Sequence, residues 1–198
     1  MAWLRGVFVN TVDRVLQRLR IARERRRLER LVAMGMTLGD DVVLPPSTWI
    51  DVAHCYLIDI GDRVRFGPQC LILAHDAQMD EFLDVGRLGK VVIGEGAQIG
   101  PRTVILCNVE IGAGTVVEAG SVVSTSLPPN SYCAGSPARV VSSVEEYAKI
   151  TGDALEGTVS RGDLWRSLSS PQERGKMVRR IREAGLVRVV SDGDPERS

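Results

Sequence analysis

The sequence predicts an all-β solenoid, a parallel β-helix, with α-helices on either side of it. The main evidence is a period of six residues, because an aliphatic side chain returns at every sixth position late in the chain. These residues are Ile93, Ile99, Ile105, Ile111, Val117 and Val123. A period of six fits neither a helix, at about 3.6 residues per turn, nor a simple strand, and is typical of hexapeptide β-helix repeats. The aromatic content of 5% suits a core of Ile, Val and Ala.

The same period extends upstream but is interrupted twice. The earlier members are Leu38, Leu44 and Ile50, followed by Ile60, Phe66 and Ile72. Ten residues separate these two groups and 21 separate the second group from Ile93, so neither gap is a multiple of six. We therefore expect an irregular corner at residues 51–59 and a loop that leaves the coil at residues 73–90. Because insertions in solenoids often form the binding face, these interruptions are where a site is expected.

Residues 1–36 are predicted to form a basic amphipathic helical arm. Apolar side chains from Leu4 to Ala22 recur at helical spacing, and arginines cover the remaining surface. Gly35 and Gly39 would end the helix. Three interpretations of the arm stay open: contact with an anionic membrane surface, contact with a partner helix, or packing on a neighbouring subunit with the arginines in water.

The β-helix is expected to span residues 37–141, and residues 142–198 to form a helical cap and a disordered tail. The period is lost after Val141, and Ser143 and Glu146 have the spacing of a capping box that starts a helix. Residues 171–185 resemble a second, basic helix. These helices would cover the open end of the solenoid, where sheet edges are otherwise exposed.

Composition argues against several classes of protein. Lys+Arg and Asp+Glu both number 25, so the chain lacks the basic excess of a nucleic-acid-binding protein. No stretch approaches the roughly 18 apolar residues of a membrane-spanning helix, and the N-terminus lacks the apolar region of a signal peptide. The four cysteines, at positions 55, 70, 107 and 133, form no C-x-x-C pair. They are expected to be reduced thiols of a cytoplasmic protein.

The chain has two histidines, His54 and His75, and each lies at one of the two interruptions. A histidine at the mouth of a polar loop suits a general base, because an unperturbed imidazole titrates near pH ~6.5. His75 is therefore the catalytic candidate, whereas His54 is expected to serve packing in its corner. Adjacent side chains seldom face each other, so Asp76 need not orient His75. Other carboxylates that could do so are Asp51, Asp80, Glu81 and Asp84.

The hexads, the sequence AHDA that contains His75 and the ending AGSPARVV together resemble the left-handed parallel β-helix acyltransferases. Within that group the chain is similar to the maltose and galactoside O-acetyltransferases, and more so to bacterial polysaccharide O-acetyltransferases. The resemblance covers about residues 37–149. It implies a cytoplasmic homotrimer with active sites in clefts between subunits. It also implies acetyl-CoA as the acyl donor and a sugar or glycoconjugate acceptor in surface-polysaccharide assembly.

The resemblance also implies roles for individual residues. A loop histidine, matched by His75, deprotonates an acceptor hydroxyl that attacks the thioester directly, with no acyl-cysteine and no metal, while backbone N–H groups stabilise the oxyanion. The positions that match the acetyl-CoA contacts are Pro101, Ala119, Ser124, Thr125 and Arg139. Relatives carry a lysine where this chain has Thr125, so Arg139 or an arginine of a neighbouring subunit would replace its contact with the CoA phosphates. Asp51 and Asp76 are the predicted acceptor ligands.

Three other functions remain open on the sequence alone. An N-acetyltransferase acting on a nucleotide-linked amino sugar would depend less on His75, because an amine nucleophile needs less help. A γ-class carbonic anhydrase shares the fold but needs three histidine ligands for zinc, and the chain has two histidines. A non-enzymatic trimeric scaffold would neither bind nor hydrolyse acetyl-CoA.

Overall fold

The six-residue period produces three sheets in which short strands from successive circuits of the chain pair in parallel. The computed structural model describes Leu19 and residues 22–78, 80–153, 157–160, 170–184 and 187–190. Sheet A contains β1 (Thr37–Leu38), β3 (Ile58–Ile60), β8 (Val91–Ile93) and β11 (Val109–Ile111). Sheet B contains β4 (Arg65–Phe66), β9 (Gln98–Ile99), β12 (Val116–Val117), β14 (Ser131–Gly135) and β15 (Ala138–Ser143). Sheet C contains β2 (Trp49–Ile50), β5 (Leu71–Ile72), β10 (Val104–Ile105) and β13 (Val122–Val123).

The chain visits sheets A, B and C in turn, and the predicted apolar positions stack on one another in the core. Ile72, for example, pairs in register with Ile50 on one side and with Ile105 on the other. The buried members of the pattern are Leu44, Ile50, Ile60, Phe66, Ile72, Ile93, Ile99, Ile105, Ile111, Val117 and Val123. Leu38 is partly buried against them. The sequence prediction of the core positions is therefore confirmed. In sheet B, the last strand, β15, pairs antiparallel with β14.

The N-terminal segment is helical over residues 22–33 (α1) and packs on the first circuit. Leu31 is 1% exposed and belongs to the core. The guanidinium of Arg27 donates a hydrogen bond to the carbonyl oxygen of Thr48 at 2.7 Å. The helix ends before Gly35, whose φ of 104° lies in the left-handed region that favours glycine. The predicted arm before residue 19, and residues 20 and 21, lie outside the described residues.

Both predicted interruptions are confirmed as departures from the coil. The first departure covers residues 51–57 and contains a 3₁₀ turn, Cys55–Leu57, whereas the last two residues of the predicted corner already belong to β3. Residues 73–90 form a hairpin in which β6 (His75–Asp76) pairs antiparallel with β7 (Arg87–Leu88). A helical turn, α2 (Asp80–Leu83), lies between these two strands. The loop predicted to leave the coil at residues 73–90 therefore has the form of a hairpin.

The chain divides into two compact units, Met1–Val144 and Glu145–Ser198. The C-terminal unit contains all but the first residue of α3 (Val144–Asp153), together with α4 (Pro171–Ala184) and the parallel strands β16 (Gly157–Ser160) and β17 (Val187–Val190). Helix α3 begins directly after Ser143, as the capping-box spacing predicts, and α4 matches the predicted second helix. The strand pair was not predicted. The expected disorder of the last residues lies outside the described residues, and the capping role stays a prediction.

Among the described helices, none combines the length and the apolar character that a membrane span requires.

Truncating one buried residue of the six-residue apolar pattern should measurably destabilise the coil. Ile111 is fully buried in β11, whereas the adjacent Glu110 is exposed. We expect Ile111→Ala to lower the free energy of unfolding by about 2–5 kcal/mol, because it removes buried methyl groups and leaves a cavity. Glu110→Ala should change it by no more than about 0.5 kcal/mol. Guanidinium denaturation followed by circular dichroism checks this, and equal losses in the two variants would contradict the inward position of Ile111.

Candidate active site

The two interruptions leave the coil at the same edge, directly after neighbouring strands of sheet C. Ile50 and Ile72 are register partners, and the N–H of Asp51 donates to the carbonyl oxygen of Ile72 at 3.0 Å. The residues that follow the two strands are therefore neighbours in space although they are distant in sequence. As a result, the rings of His54 and His75 lie with their centroids 4.5 Å apart.

The carboxylate of Asp51 joins these two imidazoles. Its Oδ2 lies 2.5 Å from Nδ1 of His75 and 3.2 Å from Nδ1 of His54. Its Oδ1 also accepts a hydrogen bond from the backbone N–H of His54 at 3.3 Å, which fixes the start of the 3₁₀ turn. The Asp51 side chain is 3% exposed, whereas that of His75 is 38% exposed. The buried carboxylate thus holds a ring that reaches solvent.

The electrostatics of the cluster favour an ionised Asp51. Burial raises the pKa of Asp51, but the hydrogen bonds from His75 and His54, together with their charges, outweigh burial and hold this pKa below its usual value. An ionised carboxylate accepts the proton of Nδ1, so in the neutral His75 ring Nε2 carries the free lone pair. This is the arrangement of a general base that is oriented by a carboxylate.

His75 opens into a cavity of about 460 Å³. Its lining includes His75, Asp76, Arg87, Leu106, Cys107 and Ser124. Asp76 forms an ion pair with Arg87 across the hairpin. The backbone N–H of Gln78 and then Arg87 lower the pKa of Asp76. Of the carboxylates considered from the sequence, Asp51 is the one that hydrogen bonds to His75 within the described residues.

The remaining predicted site residues lie at two different edges of the coil. Ser124 and Thr125 follow β13, at the same edge as His75, and Thr125 Oγ1 accepts a hydrogen bond from Arg139 at 3.3 Å. Pro101 and Ala119 lie in turns between sheets B and C, and Gly120 N–H donates to the Pro101 carbonyl oxygen at 2.8 Å. Within one chain the structure therefore does not bring Pro101 and Ala119 to the His75 edge.

His54 is the site residue that sequence reasoning missed, since it was expected to serve packing. A signal was available in the aligned hexads. His54 lies four residues after Ile50, and His75 lies three residues after Ile72, the register partner of Ile50. Stacking these two circuits brings the histidines to the same edge within a few residues of each other.

The cluster has the composition of a metal site, since one ligand atom each of Asp51, His54 and His75 lies within 4.8 Å of the others. The hydrogen bonds between the carboxylate and the two rings already account for this approach, so the geometry calls for no ion.

The four cysteines are free thiols, three of them buried, and Cys107 is partly exposed at the cavity. Burial raises the pKa of the Cys70 thiol, as in an inert core cysteine.

Comparison with known proteins supports the sequence prediction. Residues 90–125 match the family described as bacterial transferase hexapeptide (six repeats). The Bacillus subtilis (strain 168) protein named "Putative acetyltransferase YvoF" is 38% identical over 113 residues, which are 57% of this chain and 63% of that protein. Galactoside O-acetyltransferase of Escherichia coli (strain K12) is 31% identical over 110 residues, 50% of this chain and 51% of that enzyme.

A solved structure of galactoside acetyltransferase in complex with coenzyme A has the same fold. Its TM-score is 0.51 at 23% identity, over 63% of this chain and 73% of that chain. The chain spans between half and two thirds of the length of the two curated relatives named above. The chain thus carries the repeats of the bacterial transferase hexapeptide family and is related to the hexapeptide-repeat acetyltransferases, as its sequence predicts.

Proposed function

We propose that the protein is an acetyl-CoA-dependent O-acetyltransferase that acts on a sugar hydroxyl, in the synthesis of a surface polysaccharide or glycoconjugate. Its coil would have the left-handed sense of the family that it resembles. The observation that carries the proposal is the pair formed by His75 and Asp51, an imidazole held at 2.5 Å by a buried carboxylate at the wall of a cavity. Nothing in the proposed reaction requires a metal.

The pair can perform direct acetyl transfer in two steps. Nε2 of His75 takes the proton of the acceptor hydroxyl while its oxygen forms a bond to the thioester carbonyl carbon. The resulting oxyanion is stabilised by backbone N–H groups, and Asp51 stabilises the imidazolium. When the carbon–sulfur bond breaks, the CoA sulfur takes the proton from His75, and the ring returns to its starting state. No covalent enzyme intermediate forms, so none of the cysteines is needed as a nucleophile.

The positions matched to the acetyl-CoA contacts support a site shared between subunits. Ser124, Thr125 and Arg139 lie on the His75 side, whereas Pro101 and Ala119 lie at another edge of the same chain. A cleft between two copies in a homotrimer would bring the two groups together. Arg139 already contacts Thr125, so its guanidinium can replace the missing lysine as the partner of the CoA phosphates.

An acceptor screen with acetyl-CoA tests the proposal. The full chain is incubated with acetyl-CoA and a panel of neutral sugars, oligosaccharides and nucleotide-linked amino sugars, while release of the CoA thiol is followed. We expect thiol release with an acceptor that offers a hydroxyl, and an ester in the product by mass spectrometry. An amide product would favour the N-acetyltransferase alternative. No thiol release and no CoA binding by a trimeric protein would favour the scaffold.

The rate of acetyl transfer should fall in acid, because a general base acts only in its unprotonated form. A protonated imidazole cannot accept the acceptor proton, so kcat/KM should lose activity on the acidic side. Asp51 does not produce this loss, because its lowered pKa keeps the carboxylate ionised in the same range. The stability contributed by that ionised group is present at neutral pH and is lost only as the pH falls through its lowered pKa. A rate that is constant between about pH 5 and 8 would contradict the base role.

A further inference from the structure

The N-terminal segment concentrates positive charge in a chain that is neutral overall. Residues 1–34 contain nine arginines and three acidic residues, so they carry a net charge of +6. The rest of the chain compensates with an excess of acidic residues. Helix α1 contains five of these arginines, and the reaction proposed above uses none of them.

Three of the arginines in α1 form an exposed, unpaired face. Arg23, Arg26 and Arg30 are spaced by three and four residues, so they lie on the same side of the helix. Each is exposed, and none forms an ion pair with an acidic group in the described part of the chain. By contrast, Arg25 pairs with Glu29, and Arg27 pairs with Glu24. Like charges at this spacing repel each other, so the face lacks internal compensation.

Contacts of two other residues of α1 fix the position of this face. Leu31 is buried in the core, and Arg27 donates to the Thr48 carbonyl oxygen at 2.7 Å. The three unpaired arginines, with Pro46 and the ion pair between Glu24 and Arg27, border a concave space of about 880 Å³. The guanidinium groups are therefore held around an open surface large enough for phosphate-bearing groups.

We propose that this arginine face, Arg23, Arg26 and Arg30, binds the surface of a bilayer that contains anionic lipids. Guanidinium groups form paired hydrogen bonds with phosphate oxygens, which gives the face a suitable partner in lipid headgroups. Exposed apolar side chains lie four residues before Arg23 and four residues after Arg30: Leu19 is 60% and Met34 44% exposed. Cations beside exposed apolar side chains are typical of helices that lie at the membrane interface.

Vesicle sedimentation tests the proposal with the full chain. The probes are vesicles of phosphatidylcholine alone and of phosphatidylcholine mixed with phosphatidylglycerol. We expect binding to the mixed vesicles, weaker binding as salt is added, and little binding to phosphatidylcholine alone. The triple variant Arg23→Gln, Arg26→Gln, Arg30→Gln should bind the mixed vesicles about a hundredfold more weakly, since each basic residue contributes roughly a factor of five at an anionic surface.

A second triple variant controls for the loss of net charge. Arg174, Arg179 and Arg182 are exposed in α4, and their replacement with glutamine removes the same charge from another helix. This control should keep vesicle binding within about threefold of the original chain. Equal losses in the two triple variants would overturn the proposal, because they would indicate diffuse attraction. The proposal would also be overturned if the α1 triple variant dissociated into smaller species but still bound the mixed vesicles. The arginine face would then be a contact between subunits.

Discussion

Replacing His75 with alanine is expected to lower kcat/KM for acetyl transfer by about 10²–10⁴-fold, the usual contribution of a positioned general base. The variant loses the nitrogen that takes the acceptor proton, but it keeps the buried Asp51 and the coil that supports it. Release of the CoA thiol measures the loss of transfer. Calorimetric titration with CoA should give an unchanged Kd, because the imidazole contributes to proton transfer and not to binding of the nucleotide.

His54→Ala is the matched control for this prediction. It removes the other imidazole that donates to Asp51, and His54 is not among the described residues that line the cavity. We expect it to lower kcat/KM by less than about tenfold, as for a group that does not exchange a proton with the acceptor. Near-full activity in His75→Ala would remove the base role and favour an amine acceptor. An equal loss of kcat/KM in both variants would show that catalysis depends on the two imidazoles together and not on His75 alone.

Sequence periodicity could predict the coil, because the period shows which side chains face inward. It could also predict the location of the site, because the site lies where the period is interrupted. The ladder positions from Leu38 to Val123 are confirmed residue by residue, and the two departures from the period mark the corner and the hairpin. The period does not specify the conformation inside a departure. The hairpin at His75 and the 3₁₀ turn after His54 depend on local hydrogen bonds, such as that from His54 N–H to Asp51.

The partner of His75 was harder to predict for a related reason. Five of the carboxylates within the two interruptions of the six-residue period could orient His75: Asp51, Asp76, Asp80, Glu81 and Asp84. Asp51 is 24 residues from His75 and reaches it only because Ile50 and Ile72 stack in register. Asp76, the adjacent residue, instead pairs with Arg87. Which carboxylate reaches His75 therefore depends on the length of the first interruption. That length sets how the circuit containing Ile50 aligns with the circuit containing Ile72.

The function of Asp51 can be separated from that of an acceptor ligand by its asparagine variant. The carboxylate is 3% exposed and accepts hydrogen bonds from both rings, which leaves little of it to contact an acceptor. An amide can present its NH₂ group to Nδ1 of His75, which would place the ring proton on Nε2 and remove the base. We therefore expect Asp51→Asn to lower kcat by about 10²–10⁴-fold with little change in KM for the acceptor, as for the aspartate of a catalytic triad.

Asp76→Asn is the control, because Asp76 lines the same cavity but bonds to Arg87 and Gln78 N–H rather than to His75. We expect it to change kcat by less than about tenfold, since it leaves the His75 proton where the reaction needs it. Steady-state kinetics with varied acceptor gives the two parameters separately. If Asp51→Asn instead raised KM with kcat unchanged, Asp51 would be the acceptor ligand that the sequence suggests. The short hydrogen bond to His75 would then serve to hold the hairpin against the coil.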